Sequence, residues 1–281
     1  MENNLRTFVS VKKLDAFYDK KQILQNLSFE LKEGELVCLC GPNGCGKSTL
    51  LSVLADVHHG SLSFSKNSVF FNYANGKILS DTMDAIPIEK LTRRDISLFT
   101  SFLVQNESCV WNLTCEEFVR MGRFVHGDVE SKIAGVLTEK YMTELGISFL
   151  AKRSVITLSG GEFQKCRIAR SLVQQSPVLL LDEPIANLDF DAQFSFMQKI
   201  RDLCRKDGIS AVVSIHDLNL ASIFADKILL LCGREDSCSQ SIFGSVSDIF
   251  KVEILQQVYG TNLGLFVHPE YNAPQVFVKI K

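Results

Sequence analysis

A glycine-rich stretch in the first fifth of the chain has the residue types and spacing that bind phosphate. It reads Gly-Pro-Asn-Gly-Cys-Gly-Lys-Ser and fits the pattern G-x-x-x-x-G-K-[ST]. In such a loop, backbone N–H groups surround phosphate oxygens at the start of a helix, where the helix dipole favours an anion. Lys47 adds a positive charge beside the β- and γ-phosphates, and the Ser48 hydroxyl is a ligand for Mg²⁺. The residues predicted to contact the nucleotide are Gly41, Pro42, Asn43, Gly44, Cys45, Gly46, Lys47, Ser48 and Thr49.

An acidic pair supplies the second part of a phosphate-handling site. Asp182 and Glu183 directly follow the apolar run Val178–Leu181, which predicts a buried strand. Ligands of open α/β sheets bind at the carboxyl ends of the strands. We expect Asp182 to hold Mg²⁺ through water. Glu183 is expected to position and polarise an attacking water, since phosphoryl transfer depends mainly on positioning and charge stabilisation.

A second glycine-rich stretch, Leu158-Ser-Gly-Gly-Glu162, lies between the loop and the acidic pair. Ser159 and Glu162 form a capping-box pattern, which predicts a helix over 160–175. Glycine is a poor residue for the first turn of a helix. At Gly160 and Gly161, however, it leaves backbone N–H groups open to a phosphate, so the stretch predicts a second anion site.

The elements around these motifs alternate as an α/β fold requires. Expected strands cover 7–14, 23–31, 35–40, 96–104, 178–181, 209–215 and 227–231, with helices over 47–55, 191–206 and 217–224. An antiparallel patch is expected over 61–80, turning at Asn75-Gly76. Residues 106–160 are expected to form a helical insert, because Thr114 and Glu117 make a capping box and apolar residues recur at helical spacing over 129–145. The pattern predicts a mostly parallel sheet with helices on both faces.

Composition narrows the class of protein. The chain has 281 residues, 46% of them hydrophobic, which is enough for one large domain. Thirty Lys and Arg against 32 Asp and Glu leave no basic surface for nucleic acid. No apolar run approaches the ~20 residues of a membrane-spanning helix, and the first residues lack a secretory signal. The nine cysteines form no C-x-x-C pair, which favours reduced thiols.

Together these motifs resemble those of the ATP-binding subunits of ABC transporters, from about Phe8 to about Leu263. The first loop looks like the Walker A motif of that family, Val178–Pro184 like its Walker B motif, and Leu158–Glu162 like its signature motif. The resemblance implies a single cassette domain over 1–281 with a P-loop, RecA-like core, a mostly parallel sheet, a small antiparallel β patch and a helical subdomain over about 106–160. Residues 244–281 would form a C-terminal appendage. Two copies would bury two ATP molecules between them.

Individual residues carry over from the family. Gln105 matches the glutamine that contacts Mg²⁺ and couples to the membrane subunit, and His216 matches the switch histidine at the γ-phosphate. Asp189 matches the loop that crosses the dimer seam, and Tyr18 the aromatic residue that stacks on adenine. The resemblance thus implies three groups of site residues. The catalytic residues would be Lys47, Glu183 and His216, and the metal ligands would be Ser48, Gln105 and Asp182. The second copy would contribute Ser159, Gly160, Gly161 and Glu162.

Several stretches are similar to importers of ferric siderophores, haem or cobalamin, among them Phe118–Phe124 with His126, Ser214–Leu220 and Leu255–Gly260. Membership would place the protein on the cytoplasmic face of the membrane, bound to permease subunits and acting indirectly with a substrate-binding protein. A zinc or manganese importer shares much of this pattern. A cassette ATPase in a non-transport assembly, such as iron–sulfur cluster biogenesis, and a P-loop kinase are alternatives from other classes. In a kinase, the stretch Leu158–Glu162 would have no role.

Overall fold

The protein is described from a computed structural model, which covers residues 5–57, 60–74, 77–79, 85–105, 107, 109, 111–233 and 241–279. The expected turn at Asn75-Gly76 lies outside these residues. The strands are β1 (Thr7–Tyr18), β2 (Lys21–Lys32), β3 (Leu36–Cys40), β4 (Leu62–Phe64), β5 (Val69–Phe71), β6 (Tyr73–Ala74), β7 (Lys77–Ile78), β8 (Ile86–Pro87), β9 (Thr100–Leu103), β10 (Val178–Leu181), β11 (Ser210–Ser214), β12 (Lys227–Leu230), β13 (Ile242–Ser245), β14 (Leu263–Val267) and β15 (Pro274–Val278).

The helices follow the same chain order. They are α1 (Lys47–Leu54), α2 (Arg93–Phe99), α3 (Cys115–Arg120), α4 (Lys132–Glu144), α5 (Gly160–Val173), α6 (Phe190–Asp207), α7 (Leu218–Phe224), α8 (Val246–Ile249) and α9 (Val252–Tyr259). Short 3₁₀ turns cover Ile88–Lys90, Met121–His126, Ser148–Leu150 and Val155–Thr157.

The central sheet has the strand order β13-β12-β3-β11-β10-β9. The strands from β12 to β9 are parallel, and β13 joins the edge in the antiparallel direction. The carboxyl ends of β3, β11, β10 and β9 therefore meet at one edge of the sheet. The mostly parallel α/β core predicted from the sequence is confirmed.

Both faces of this sheet are buried, as the short apolar runs predict. Side chains of β3 alternate between two cores: Leu36, Cys38 and Cys40 enter the core on the α5 and α6 side, while Val37 and Leu39 enter the other. Burial raises the pKa of the Cys40 thiol to about 12, so it remains neutral and packs as a small apolar group.

A second, antiparallel sheet lies over the other face. Its strand order is β2-β1-β5-β8, with β4 paired to β1, so the expected antiparallel patch is part of a larger sheet that includes the first two strands. Helix α1 contacts β2 in this sheet and β10 and β11 in the parallel sheet. The helix that follows the phosphate loop is therefore held between two sheets.

The helical segments expected after Gln105 are present. Thr114 and Glu117 form the capping box of α3, and Ser131 caps α4 by accepting a hydrogen bond from the Ala134 N–H at 3.0 Å. Helices α3, α4 and α5 contact one another. The apolar periodicity began at Val129, but α4 begins only after the Ser131 cap.

Two expectations about element boundaries are wrong. The segment expected as a strand over 96–104 is helix α2 up to Phe99 and strand β9 only from Thr100. Thr92 and Asp95 form a complete capping box, which starts a helix that the β-rich composition concealed. Strand β1 also runs beyond residue 14 to Tyr18, because register shifts let it bend without breaking its pairing with β2.

The C-terminal residues form α8, α9 and a hairpin of β14 and β15. Asn219 of α7 holds this hairpin through both amide atoms: its Oδ1 accepts the Val276 N–H at 2.7 Å, and its Nδ2 donates to the Val276 carbonyl at 3.3 Å. Buried Gln275 donates to Ser222 Oγ at 2.8 Å. The hairpin is therefore anchored to the helix that follows His216.

Candidate nucleotide-binding site

The phosphate loop joins β3 to α1 and depends on glycines at positions that other residues would strain. Gly41 has φ 145°, and a Cβ there would lie 2.4 Å from the Leu231 carbonyl oxygen. Gly46 has φ 105°, and a Cβ there would meet Leu24 of β2 at 2.7 Å. The loop thus passes closely between β12 and β2.

Lys47 is buried and holds the loop in this conformation. Its Nζ donates to the Gly41 carbonyl at 2.8 Å and to the Pro42 carbonyl at 3.0 Å. Ser48, the next residue, is exposed, whereas Thr49 is buried. The ammonium group is therefore fixed at the start of α1, where a triphosphate would need a positive charge.

The start of α1 differs from those of the helices α2 to α8. Its N-cap is Gly46 in the left-handed conformation, with no side-chain hydrogen bond to the first turn. By contrast, each helix from α2 to α8 has a Ser, Thr or Asp cap that accepts a backbone N–H: Thr92, Thr114, Ser131, Ser159, Asp189, Asp217 and Ser245. The α1 N–H groups consequently remain available to an external acceptor, which is what an anion site requires.

Cys45 is a buried part of the loop. Burial raises the pKa of its thiol, and the Lys47 charge only partly opposes this shift. A thiol with a raised pKa is a poor nucleophile at neutral pH. The structure therefore favours a packing role for Cys45 over a reactive one.

The acidic pair is held by a residue that the sequence analysis did not single out. Ser214, at the end of β11, is fully buried and donates its hydroxyl hydrogen to Asp182 Oδ1 at 2.6 Å. The Ser214 Oγ in turn accepts the Glu183 N–H at 2.8 Å. Glu183 has φ 47°, a left-handed conformation that is uncommon for a residue with a side chain. The Ser214 hydroxyl thus holds both the Asp182 carboxylate, which is expected to bind the metal, and the strained backbone at Glu183.

Three predicted residues, Gln105, Glu183 and His216, follow different strands, and their side chains are in contact. Glu183 Oε1 lies 2.6 Å from His216 Nε2, and Glu183 Oε2 accepts a hydrogen bond from Gln105 Nε2 at 2.7 Å. These residues follow β10, β11 and β9, which are neighbours in the parallel sheet. The cluster therefore lies at the carboxyl edge of the sheet, where the phosphate loop also begins.

The Ser214 hydroxyl gives a direct test of this arrangement. Ser214→Ala leaves Asp182 Oδ1 and the Glu183 N–H without their partner, so we expect kcat to fall about tenfold or more, which corresponds to ~1.4 kcal/mol. Ser101→Ala is a matched control: Ser101 is also buried in the parallel sheet and donates to the Ser171 carbonyl at 3.1 Å, away from the carboxylates. Steady-state ATPase rates and thermal unfolding of both variants are the measurements. A wild-type kcat in Ser214→Ala would contradict the positioning role.

The start of α5 is exposed, as a site for a second molecule requires. Ser159 and Gly160 lie at the surface, and the capping box predicted here is present. The Glu162 carboxylate accepts the Ser159 N–H and the Ser159 hydroxyl hydrogen, each at 2.8 Å. These hydrogen bonds lower the pKa of Glu162, and Arg153 lies 3.5 Å from its other oxygen.

Two predicted residues stand apart from the Glu183 cluster. Asp189 caps α6 by accepting the Ala192 N–H at 2.9 Å. Tyr18 is half-buried at the end of β1, where it pairs with Lys21 of β2. Leu24 and Ile23 of β2 lie against Gly46, so Tyr18 is on the part of the antiparallel sheet that borders the phosphate loop. Their roles toward a nucleotide stay predictions.

The oxygen atoms at the sheet edge fit a magnesium ion. Mg²⁺ prefers hard oxygen ligands and retains several waters. Asp182 supplies a carboxylate and Ser48 an exposed hydroxyl, while Gln105 gives its amide nitrogen to Glu183 and so retains its amide oxygen for another contact. Within the described part of the chain, no group of three or more His, Cys, Asp or Glu side chains forms a metal cage. The donors present suit an ion carried in with the nucleotide.

The doubly covered parallel sheet, the uncapped glycine loop and the carboxylates at the strand ends define a P-loop nucleotide-binding protein. Comparison with known proteins identifies its family: the chain matches the ABC transporter family over residues 24–186. It is 30% identical to the ferric enterobactin transport ATP-binding protein FepC of Escherichia coli K12, over 92% of this chain and 89% of FepC. It is 32% identical to the hemin import ATP-binding protein HmuV of Bordetella avium, over 89% of this chain and 90% of HmuV. The chain belongs to the ABC transporter family, as an ATP-binding subunit.

Solved structures agree with this fold. A metal-chelate type ABC transporter in an inward-facing conformation matches with a TM-score of 0.75 and 24% identity, covering 98% of this chain and 99% of that one. The dimeric cassette MJ0796 bound to ADP and Pi matches with a TM-score of 0.66 and 25% identity, covering 79% of this chain and 94% of that one. Family membership removes the P-loop kinase alternative and implies ATP binding and ATPase activity. None of the helices described has the length and apolarity that crossing a membrane would take.

Proposed function

We propose that this chain is the ATP-hydrolysing subunit of an importer for a chelated-iron substrate, a ferric siderophore or haem. The observation that carries the hydrolytic part is the Glu183 carboxylate, held between Gln105 and His216 at the carboxyl edge of the sheet. Glu183 is assigned as the base toward water, because the Gln105 amide cannot accept a proton and Asp182 is expected to remain with the metal.

Each residue then has one task. Lys47 and the uncapped first turn of α1 bind the phosphates, and Ser48, Asp182 and Gln105 hold Mg²⁺, which neutralises phosphate charge when it is bound. Glu183 orients a water and accepts its proton. Both Glu183 oxygens are already engaged, at 2.7 Å by Gln105 and at 2.6 Å by His216. Each oxygen still has a lone pair that can accept a hydrogen bond from water, so Gln105 and His216 can orient the carboxylate without blocking it.

A second copy completes the site in this proposal. Ser159 and Gly160 are exposed at the start of α5, and their N–H groups would meet the γ-phosphate bound by the other copy. The dimeric form of the matched cassette with ADP and Pi supports this arrangement. Hydrolysis at each site then requires residues of both protomers, and Asp189 would lie at the interface between them.

The substrate class comes from the relatives, whose names specify ferric enterobactin and hemin. Specificity in such systems lies in the permease and the substrate-binding protein. The helical region offers the chain a place to bind a permease, because it exposes large apolar side chains: Trp111 is 62% exposed, and Phe124 and Phe149 are each 78% exposed. The chain would then lie on the cytoplasmic face of the membrane without crossing it.

Two measurements test the proposal. The purified chain should hydrolyse Mg²⁺ATP at a specific rate that rises steeply with protein concentration, because only dimers contain complete sites. In the source organism, deletion of the gene should abolish uptake of a radiolabelled ferric siderophore or of haem, and the tagged chain should co-purify with a multi-spanning membrane protein. Loss of zinc or manganese uptake instead would overturn the iron assignment. Recovery with soluble partners alone would overturn the transport assignment.

A further inference from the structure

Helix α5 makes polar contacts that neither the phosphate loop nor the signature motif requires. One turn beyond the exposed Ser159 lies Gln164, which is only 3% exposed. Its Nε2 donates to the Pro184 carbonyl at 2.7 Å, and its Oε1 accepts from Arg167 Nη1 at 2.7 Å. Pro184 directly follows Glu183, so this glutamine fixes the backbone beside the proposed base.

Arg167, one turn further along α5, reaches the other partner of Glu183. It is 3% exposed, and its guanidinium donates to the carbonyl oxygens of Val104 and Gln105, the latter at 3.4 Å. The side chain of Gln105 is the group that binds Glu183 Oε2. Helix α5 thus holds Glu183 from two directions, through the backbone after it and through the residue that binds its carboxylate.

Glu107 closes the cluster on the loop side. It accepts two hydrogen bonds from Arg170, each at 2.7 Å, and one from Arg167 Nε at 3.2 Å. Burial opposes ionisation of this carboxyl, but the hydrogen bonds and charges of Arg170 and Arg167 outweigh it and lower the pKa of Glu107. A charged triad in which each member is hydrogen-bonded is stiff, and removing one member leaves the others buried without their partner.

The position of this cluster connects two sites that are separate in space. In the proposed dimer, the start of α5 faces the nucleotide of the second copy, whereas Glu183 and Gln105 serve the nucleotide of the same copy. A helix moves as a rigid unit over so few turns. A displacement of the start of α5 would therefore also move Gln164 and Arg167, and with them the Pro184 and Gln105 carbonyls to which they donate hydrogen bonds.

We propose that Gln164, Arg167 and Glu107 form a relay that couples the two ATP sites of the dimer, transmitting contact at the start of α5 to the position of Glu183. These are positioning residues, since none touches the nucleotide. The inference rests on the proposed dimeric ATPase. In this proposal, helix α5 links the occupancy of one ATP site to the position of the base in the other, which the site residues alone do not do.

The test compares two glutamines, one within α5 and one that caps its carboxyl end. Gln164→Met removes the bonds to Pro184 and Arg167 while keeping an unbranched side chain of similar length. Gln174→Met is the matched control, because Gln174 Nε2 also donates to two carbonyls, Ser97 at 2.6 Å and Thr100 at 3.0 Å, far from Glu183. Both variants should lose a similar amount of thermal stability, so a difference in activity between them would not come from stability.

Steady-state ATPase assays distinguish the two variants. For Gln164→Met we expect kcat to fall about tenfold, the affinity of the isolated subunit for ATP to stay within about twofold, and the Hill coefficient to drop from near two toward one. Gln174→Met should keep the wild-type kcat and Hill coefficient. Glu107→Gln, at a partly exposed position, is a milder second variant with the same expected direction.

Failure of the relay and failure of the proposed function give different results. If the wild-type chain shows no concentration-dependent ATPase activity, the proposed function is wrong whatever the variants do. If the wild type is a cooperative ATPase and Gln164→Met and Glu107→Gln behave like Gln174→Met, the relay is overturned and the function stands. A loss of ATP affinity equal to the loss of kcat in Gln164→Met would also overturn it, since the relay acts only on the base.

Discussion

Glu183→Gln is expected to abolish turnover while the protein still binds ATP and forms a stable dimer. Glutamine has nearly the same shape and can still contact Gln105 and His216, but it cannot accept a proton from water. Removing a general base costs about 10²–10⁴-fold in rate, so the ATPase activity should fall to about a hundredth of the wild-type value or less. Light scattering should show a dimer with ATP and a monomer with ADP, because the unhydrolysed nucleotide keeps the two halves together.

The control for this experiment is a carboxylate with a structural role. Glu117 completes the capping box of α3 with Thr114 and has no role in the proposed chemistry. Glu117→Gln should therefore retain ATPase activity with a small loss of stability. Unchanged hydrolysis in Glu183→Gln would contradict the assignment of the base. A dead variant that remains monomeric with ATP would instead show that Glu183 is needed for closure and not only for chemistry.

The sequence could predict the parts of the site that repeat a local pattern. The loop at Gly41 depends on glycine spacing and on a strand and helix in immediate succession, and both are visible in one dimension. The capping box at Ser159 and Glu162 is equally local. The identity of Gln105 and His216 came from family resemblance, since a single glutamine and a single histidine carry no pattern of their own.

The contacts across the sheet could not be predicted, because they depend on which strands are neighbours. Ser214 acts on Asp182 only because β11 lies beside β10. Arg167 reaches the Gln105 carbonyl only because α5 packs on the edge strand β9. In the sequence, Ser214 is an ordinary residue at a strand end and Arg167 an ordinary helix residue. Helix α2 shows the opposite case, in which Thr92 and Asp95 were a readable signal that the β-rich surroundings concealed.

The electrostatics at the two helix starts differ in a way that bears on how the dimer works. Helix α1 begins with glycine and buried Lys47, so its phosphate site is positive without help. Helix α5 begins with Ser159 beside the Glu162 carboxylate, whose pKa is lowered by hydrogen bonds from Ser159 and which is therefore negative at neutral pH. Arg153 lies 3.5 Å away and offsets part of that charge. The start of α5 is thus a weak anion site alone, which suits a group that binds only a nucleotide already held elsewhere.

Two inactive variants should therefore restore activity when they are mixed. Ser159→Arg places a long side chain on the exposed surface in front of Gly160 and should lower ATPase activity at least 100-fold while leaving ATP binding by the single subunit intact. Lys47→Ala should be equally inactive, because it removes the charge at the phosphates. In the proposed arrangement, the loop and the helix start of one site come from different protomers, so a dimer of one copy of each has one site with an intact Lys47 loop and an intact Ser159 helix start.

Mixing the variants in equal amounts should recover up to about a quarter of the wild-type rate, because half of randomly paired twofold dimers are mixed and each has one complete site. Ser131→Arg is the control for loss of a helix cap, since Ser131 caps α4 with a similar bond to the Ala134 N–H; it should remain active alone. A site built within a single chain predicts the opposite result, because every protomer in the mixture carries a defect and no pairing repairs it. The rate recovered as the mixing ratio is varied, with its maximum at equal proportions, therefore decides whether the start of α5 serves the nucleotide of its own chain or that of a second copy.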